Sequence, residues 1–502
     1  MRNLIILFVS MILTLSCTEL LEEDLYTNPS LSGLSTLEDA KYSLTGAYAG
    51  LLGNSNAGYY GRNYLYLREI PTDNLLGTGQ ERSLDDFSFD DNQITLRNTY
   101  SDIYNMILRA NILLDNIDAA DISLELKNQF KAEAQYLVAL GYYDLSSLFG
   151  PVALITSSVN DITNKPERAT LASIENFIFT ILETAIPNLS ETKLEDRPGA
   201  VTLGAAYALK MKLHLRRKEW GKVVEYADLI VNLGQYSLLP KVEDLYVIGN
   251  SDNSEIIFSV KTTGVPFGKS LNALAAGSTD IAIHNYDWQN DYYGFGTFRG
   301  ELKVYYSYDP DDERFKKLFR HQFFTRSGQS VAPLQEDGTK KPEINKGQPF
   351  VYSNKYPHPL AGTQSDFRTD IYHANTLFVS RYAEILLAKA EALNELNGPS
   401  DDVYNLINEV RNRSNLPNIQ TTGNFDQNTL RSAIFQERQW EFFMEGYRRE
   451  DLIRQGTFVE KITNSHFKVN DIIDVQECNQ LYPIPGIEKS LNKNLIIPNN
   501  CY

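Results

Sequence analysis

The chain has 502 residues, of which 42% are hydrophobic, and a formal net charge of −17. A chain of this length can bury a large core, and an array of helices of this length can form one continuous body. The acidic excess argues against a nucleic-acid partner, because few cations remain to neutralise a phosphate backbone. The six His are scattered and the Cys spacing fits no metal site, so neither a metal nor a cofactor is expected.

Residues 1–16 have the order of a bacterial lipoprotein signal peptide. A short basic start leads into a mostly apolar run from Leu4 to Leu15, which is too short to span a bilayer and ends just before Cys17. We predict that Cys17 is the acylated first residue of the mature chain. An ordinary secretory signal with an incidental Cys is the alternative. The polar, acidic residues 17–35 are predicted to be the acylated tether.

Residues 36–245 are predicted to form an N-terminal helical scaffold, because apolar residues recur there at spacings of three and four. One long interruption, residues 53–97, is rich in Gly, Asn, Asp and Tyr and is predicted to be long loops with little regular structure. Loops of this length are usually functional or disordered, and the aromatic residues favour order. The helices are predicted over residues 36–52, 99–117, 124–149, 171–186, 201–217 and 220–233.

Two parts of the chain share an Ala-rich helix followed by an amphipathic partner, namely residues 201–233 and the stretch that begins at Tyr382. Repeated pairs of this kind are typical of tetratricopeptide-like helix–turn–helix units. The predicted fold class is therefore mostly α: a tetratricopeptide-like helical-repeat scaffold, or α–α superhelix, that carries a large insert of irregular loops and short strands.

Residues 246–375 are predicted to be that insert and to bind the ligand. Gly, Asn, Tyr, Pro and Asp dominate it, apart from a strand predicted over residues 254–261 and a short helical patch over residues 302–319. Binding residues are commonly found on loops that a rigid scaffold positions.

Four aromatic residues, Trp288, Tyr292, Tyr293 and Phe295, lie within eight positions of one polar loop of the insert. Flat rings cover the apolar C–H faces of sugars, while Asp, Asn and Arg side chains bond the hydroxyl groups. These four residues are therefore candidate ligand-binding residues. Burial as a small core of the insert itself is an equal alternative.

Residues 376–502 are predicted to form a C-terminal helical scaffold and a terminal segment. A helix is expected from Leu377 to a stop at Gly398, and Asp401 or Asp402 is expected to cap the next helix. Two further cysteines, Cys478 and Cys501, could form a disulfide in an oxidising compartment, but their spacing leaves the pairing open.

A third helical segment, residues 436–454, mixes aromatic residues with opposite charges three positions apart. Its aromatic density predicts a helix wedged between other elements, and a solvated charged face is the alternative. Either reading gives it a scaffold role. The opposite charges are paired as Arg438/Glu441, Glu445/Arg448, Arg448/Asp451 and Asp451/Arg454.

Signatures of catalysis are missing from the sequence. It contains neither an HExxH motif nor a GxSxG elbow, and residues 264–270 have three residues between the two glycines where a phosphate loop has four. The chain is therefore predicted to be a binding protein rather than an enzyme. A hydrolase with an unmarked pair of acidic residues is an alternative, since nothing singles out two of the 64 carboxylates.

Several segments resemble one known family in their order and spacing. They are RYAEILLAKAEALNE, INEVRNRSNLP, ERQWEFFMEGYRREDLIRQG and LYPIPGIEKSLNKNL in the C-terminal part, with TLEDAKYSLTGAYAGL and LGYYDLSSLFGPVALI before them. The chain thereby resembles the SusD/RagB family of outer-membrane nutrient-binding lipoproteins. The resemblance implies the same helical scaffold, with loops from residues 53–97 and from the insert meeting in a shallow ligand site. Asp73 and Arg82 are the candidate polar partners from the first of these loops.

The resemblance also implies a function. The expected protein binds glycans or oligosaccharides at the cell surface, is lipid-anchored in the outer membrane, and acts in nutrient uptake as a hinged lid on a SusC-like TonB-dependent transporter. Two alternatives remain: a helical-repeat protein that binds a protein partner and no small molecule, and a relative that binds peptides rather than glycans.

Overall fold

The computed structural model of the protein describes most of the chain from Leu34 onward. The described residues are 34–53, 58–77, 81–159, 165–247, 249–261, 299–321, 323–324, 330–331, 350–353, 355–356, 376–464, 475–496 and 501. The predicted signal peptide, Cys17 and all but the last two residues of the predicted tether lie outside the described residues.

The described residues are mostly helical, as the sequence predicted. The helices of the N-terminal block are α1 Leu37–Ala49, α2 Tyr64–Glu69, α3 Arg82–Asp85, α4 Ile94–Asn116, α5 Leu124–Phe149, α6 Leu171–Ala185, α7 Leu203–Arg216 and α8 Trp220–Asn232. The later helices are α9 Leu302–Tyr305, α10 Glu313–Leu318, α11 Tyr382–Asn397, α12 Asp401–Arg413, α13 Gln427–Glu441, α14 Arg448–Gln455, α15 Phe458–Thr463 and α16 Gly486–Leu491. The strands are β1 Leu75–Leu76, β2 Ile256–Lys261, β3 Arg299–Glu301, β4 Phe319–Arg320, β5 Phe323–Phe324, β6 Ser330–Val331, β7 Phe350–Ser353 and β8 Thr376–Arg381.

Side chains at the helix ends fix where several helices begin. The hydroxyl of Thr36 accepts from the backbone N–H of Asp39 at 3.1 Å, and the Asp39 carboxylate accepts from the backbone N–H of Thr36 at 2.9 Å, so α1 begins with a capping box. Ser400 caps α12 by accepting from the backbone N–H of Val403. The sequence had assigned this cap to one of the two Asp residues that follow, which instead occupy the first turn of the helix.

The long helices stack as neighbouring pairs. α4 packs on α1 and α5, α6 packs on α5, and α7 pairs with α8; α8 then packs on α11, which pairs with α12 and contacts α13. The two hairpins that resemble each other in sequence are therefore neighbours in space, although the whole insert separates them along the chain. Small buried residues such as Ala208 and Ala388 allow the helices to approach closely. This stacking is that of the predicted tetratricopeptide-like scaffold.

The insert leaves and rejoins this scaffold on two paired strands. β2 and β8 are antiparallel, with Val260 opposite Leu377 and Lys261 opposite Thr376. The predicted helix start at Leu377 was therefore wrong, because this run of buried apolar residues pairs as a strand and the helix begins only at Tyr382.

A second small sheet connects the insert with the N-terminal block. Its strand order is β1–β3–β7–β4, and each neighbouring pair is antiparallel. Leu75 in β1 lies opposite Gly300 in β3. A Cβ at Gly300 would lie only 2.8 Å from Cγ2 of Val351, so this position requires the absence of a side chain.

Residues 53–97 are more regular than the sequence predicted. They contain α2, α3 and β1, and α4 begins within them. Tyr59 and Tyr60 are buried, and both hydroxyls donate to the Asp144 carboxylate in α5. The prediction of little regular structure was wrong here, whereas the aromatic residues, which favoured an ordered segment, include Tyr59 and Tyr60 in the core.

The charged segment 436–454 is not one helix. α13 ends at Glu441 and α14 begins at Arg448, with Met444 and Gly446 at positive φ of 60° and 87° in the turn between them. Of the four predicted pairs, Asp451/Arg454 forms an ion pair within one helix. The turn brings Asp451 to Arg438, and the other charged residues of these pairs find partners elsewhere in the chain. The resulting pairs include Arg438–Asp451, Arg448–Asp73, Glu441–Arg381 and Glu445–Arg381.

Two further features complete the described part of the chain. Cys478 and Cys501 form a disulfide with their Cα atoms 5.9 Å apart, which decides the pairing that the sequence left open. Among the helices described here, none combines the length and the apolar character needed to cross a bilayer.

Candidate ligand-binding site

The first long loop and the insert meet at the β1–β3 pair. The backbone N–H of Glu301 donates to the carbonyl oxygen of Asn74 at 2.8 Å, immediately before β1. β3 begins at Arg299, directly after residues 262–298, which include the aromatic loop. The segment that carries Asp73 therefore lies beside the chain that leaves the aromatic loop. The four aromatic candidates, Trp288, Tyr292, Tyr293 and Phe295, lie outside the described residues.

Asp73 is held in place by an arginine from the C-terminal scaffold. Nε and Nη2 of Arg448 donate to the two carboxylate oxygens of Asp73, both at 2.7 Å, and the Asp73 side chain is 12% exposed. Burial alone would raise the pKa of Asp73, but the charge and hydrogen bonds of Arg448 outweigh it and lower the pKa below its ordinary value. Asp73 is therefore ionised and fixed in orientation at the edge of the proposed site.

Arg82, the other polar candidate, is the first residue of α3. Its side chain is 62% exposed, and its Nε lies 3.7 Å from the carboxylate of Asp86 one turn further along. At this distance and exposure the ion pair is weak.

Beneath these residues lies a buried carboxylate that the sequence did not single out. Oε1 of Glu69 accepts from the backbone N–H of Gly446 at 2.6 Å, and Oε2 accepts from Nδ2 of Asn74 at 2.8 Å. Gln439 in turn donates to Oδ1 of Asn74 at 2.9 Å. Burial raises the pKa of Glu69 to about 7, against the opposing effect of these hydrogen bonds. The available signal was an acidic residue at the end of the mostly apolar run Tyr-Leu-Tyr-Leu-Arg-Glu-Ile.

A network of fully buried ion pairs joins the insert to the scaffold. Arg381 in β8 donates through Nη1 to Glu255 at 2.8 Å and to Glu441 at 2.6 Å, and through Nε to Glu445 at 2.7 Å. Burial opposes ionisation of Glu441, but the nearby arginines prevail and lower its pKa well below the ordinary value. Because these groups are sealed from solvent and satisfy one another, they anchor the elements around them and offer no proton-transfer group to a ligand.

A separate cleft of about 680 Å³ lies between α1, residues 196–200 and β2. Arg197 on one wall bonds the Glu133 carboxylate at 2.7 and 3.0 Å and lies over the ring of Phe130. None of its described lining residues belongs to the β1–β3 pair. Across the described residues, no group of three or more His, Cys, Asp or Glu side chains could hold a metal ion.

Comparisons with known proteins agree with this architecture. A model described as the SusD family matches residues 281–502, and a model described as "Starch-binding associating with outer membrane" matches residues 51–215. "SusD-like protein P25" of Formosa agariphila is 25% identical over 524 aligned positions, which cover 99% of this chain and 98% of that protein.

Two solved structures have the same fold. The first, "Laminarin binding SusD-like protein", has a TM-score of 0.74 at 22% identity and covers 93% of this chain and 100% of its own. The second, "Surface glycan-binding protein A from Bacteroides thetaiotaomicron in complex with laminarihexaose", has a TM-score of 0.75 at 19% identity, with coverage of 93% and 100%. The two family models together match most of the chain, a relative aligns from end to end, and the stacked helical hairpins are shared; the chain belongs to the SusD/RagB family.

Proposed function

We propose that this protein binds glycans or oligosaccharides at the cell surface and holds them without cleaving them. The observation that carries the proposal is the β1–β3 pair, which joins the loop of Asp73 to the chain leaving the aromatic loop. Phe295 precedes Arg299 by four residues, a length of chain that spans at most about 14 Å. This pairing supports a shared site that takes aromatic and polar candidates from distant parts of the sequence.

In this proposal each candidate has a distinct role. The rings of Trp288, Tyr292, Tyr293 and Phe295 stack on the apolar faces of sugar units. Asp73 accepts from sugar hydroxyls with the lone pairs that Arg448 leaves free, since a carboxylate has about four acceptor sites and the arginine uses two. Arg82 donates to ring or hydroxyl oxygens from its exposed position.

The comparisons support the ligand class. The two solved neighbours carry laminarin and laminarihexaose in their names, and the family model over residues 51–215 is described as starch-binding. Laminarin, laminarihexaose and starch are all built from glucose units, and each unit can present a flat C–H face to an aromatic ring. A glycan is therefore the first ligand to test on this chain, ahead of a peptide.

We also assign a location and a partner. The signal sequence supports acylation at Cys17, and the words "associating with outer membrane" in the family description support anchoring there. The disulfide between Cys478 and Cys501 fits an oxidising compartment outside the cytosol. In that place the protein acts as a lid on a SusC-like TonB-dependent transporter and retains a polysaccharide fragment for uptake.

Titration calorimetry with laminarin, starch and a mixed peptide library tests the proposal. We expect one of the polysaccharides to bind and the Trp288→Ala/Tyr292→Ala double variant to lose that binding with little change in melting temperature. Tyr42→Ala is the matched control, because Tyr42 is a 64% exposed aromatic residue on α1. Binding of peptides alone, or release of reducing sugars from the bound polysaccharide, would contradict the proposal. A large drop in melting temperature of the double variant would instead identify these rings as core residues.

A further inference from the structure

A row of hydrogen-bonded side chains links buried Glu69 to Asp73 at the proposed site. Oε2 of Glu69 accepts from Nδ2 of Asn74, and Oδ1 of Asn74 accepts from Nε2 of Gln439. The same Nε2 of Gln439 also reaches the Asp73 carboxylate at 3.4 Å. Each amide in this row has one orientation that satisfies both of its neighbours, and the acceptor at its start is the ionised carboxylate of Glu69.

Glu69 cannot take up a proton without disturbing this row. The backbone N–H of Gly446 occupies Oε1 at 2.6 Å and cannot turn away, so an added proton must reside on Oε2. There it would meet the amino group of Asn74, which is also a donor. Asn74 must then rotate its amide group so that the oxygen faces Glu69 and the amino group faces Gln439. Gln439 must rotate its own amide group in response. Its oxygen, not its amino group, would then face Asp73.

Burial and missing charge compensation make Glu69 responsive in this way. Glu69 is fully buried, and among the described residues no cation lies within ion-pair distance of it. Lys355 and Arg448 are the cations that lower the pKa of Glu69. Each already forms an ion pair with another carboxylate, Lys355 with Glu445 at 2.6 Å and Arg448 with Asp73 at 2.7 Å. A buried carboxylate without a cationic partner titrates at higher pH than an exposed one.

The other charged or titratable groups around Glu69 do not replace it as the switch. Tyr356 faces it from the segment after β7, and its hydroxyl donates to the carbonyl oxygen of Met444. Tyr64 lies against Gly446. Burial raises the pKa of both phenols above their ordinary value of 10, so both remain neutral at physiological pH.

We infer that Glu69 is a positioning residue of the ligand site, whose ionised form aligns Asn74 and Gln439 so that Asp73 is held ready for the ligand, and that ligand affinity falls when Glu69 is protonated. The inference rests on the proposed function, since Asp73 is a ligand-binding candidate there. It adds a dependence on external pH close to neutrality, which a structural role of Glu69 alone would not produce.

The test is the pH profile of affinity for whichever of laminarin or starch binds, measured by calorimetry on the full chain and on Glu69→Gln. Between pH 8 and pH 6 the ionised fraction of a group titrating near 7 falls about tenfold, so the wild-type affinity should fall by up to about tenfold. Glu69→Gln places a donor where the added proton would be, so it should bind weakly and equally at both pH values.

Two further variants sharpen the result. Gln439→Leu breaks the row between Asn74 and Asp73 while leaving Glu69 in place, and it should also lose the pH dependence. Glu133→Gln is the matched control, because Glu133 is another buried carboxylate with a raised pKa but bonds Arg197 and Tyr48 away from the row. It should keep the wild-type profile. Equal wild-type affinity at pH 8 and pH 6, with wild-type binding by Glu69→Gln, would overturn the inference.

A measurement that needs no ligand separates this inference from the proposed function. Hydrogen–deuterium exchange of peptides covering residues 70–77 and 299–305, corrected for the intrinsic effect of pH, should increase from pH 8 to pH 6 in the wild type. In Glu69→Gln it should be high at both values. If no polysaccharide binds, the proposed function fails, and the exchange data alone decide the inference: exchange that is the same in both proteins at both pH values overturns it.

Discussion

Arg448 and Asp73 form a two-point ion pair between segments that lie 375 positions apart, with Nε and Nη2 each 2.7 Å from a different carboxylate oxygen. Arg448 opens α14, and Asp73 precedes β1, so this pair attaches the first long loop to the C-terminal scaffold. The same carboxylate is a candidate for ligand contact, so a substitution at Asp73 is expected to change both the stability of the fold and ligand binding.

Replacing Asp73 by Asn should lower the free energy of unfolding by about 3 kcal/mol, because Arg448 would remain buried without its counter-charge. Since the folded pKa of Asp73 is below its ordinary value, the pair stabilises the fold above pH 4 and this contribution is lost as the pH falls through the lowered pKa. Urea unfolding at pH 7 measures the effect. Asp86→Asn removes the weak partner of Arg82 and serves as the control, with an unchanged midpoint expected. An equal midpoint for Asp73→Asn would contradict this account of the pair.

Arg381 should be among the residues least tolerant of substitution. It bonds Glu255, Glu441 and Glu445 and is fully buried, so Arg381→Met leaves three carboxylates without this partner and should cost about 3–5 kcal/mol or prevent folding. Arg381→Lys keeps the charge but cannot reach the three carboxylates with one ammonium group, so an intermediate loss is expected. Denaturant midpoints order the variants, and Lys222→Met at an exposed pair should match the wild type. If Arg381→Met and Arg381→Lys were as stable as the wild type, the anchoring role of Arg381 would be refuted.

Glu450 should contribute to the free energy of unfolding at neutral pH and lose that contribution in acid. Burial disfavours its ionised form, but Arg216 and Arg68 prevail and lower its pKa to about 2, and its carboxylate also accepts from the Tyr143 hydroxyl at 2.7 Å. Its contribution is therefore complete above the ordinary pKa of 4.5 and is lost as the pH falls toward 2. Glu450→Gln should be less stable than the wild type at pH 7, and this difference should shrink below pH 4.5. Urea titrations at pH 7, 4 and 3 follow it; a difference that stays constant with pH would rule out this origin.

The disulfide should stabilise the protein without taking part in binding. Its two cysteines are separated by 23 positions. Closing a loop of this length lowers the entropy of the unfolded chain, which should raise the free energy of unfolding by about 3 kcal/mol. Cys478→Ser/Cys501→Ser should unfold at lower urea concentration by up to that amount and should no longer respond to a reducing agent. Affinity for the polysaccharide should be unchanged, and a weakened affinity would show that the terminal segment reaches the site.

Much of the helical scaffold was predictable from local patterns. Apolar spacing predicted α5 with its observed bounds, Leu124–Phe149, and the resemblance between two hairpins indicated repeated helix–turn–helix units. These features depend on neighbours within a few turns of helix, so the sequence alone contains the signal for them.

The errors occurred where distant parts of the chain meet. The run before Tyr382 is apolar enough for either a helix or a strand, and only its partner β2 decides between them. The turn at Met444 and Gly446 brings Arg438 to Asp451, which no local spacing indicates. The contact between β1 and β3 involves a strand of two residues, too short to give a periodic pattern.

The pairing of β2 with β8 has an evolutionary consequence. Because β2 and β8 pair where the chain leaves the helical stack and where it returns, the parts of the intervening segment that do not contact the scaffold can be lengthened or shortened without moving α8 against α11. A change of length in this segment during evolution would therefore leave the pairing of β2 with β8, and the helices on either side of it, in place.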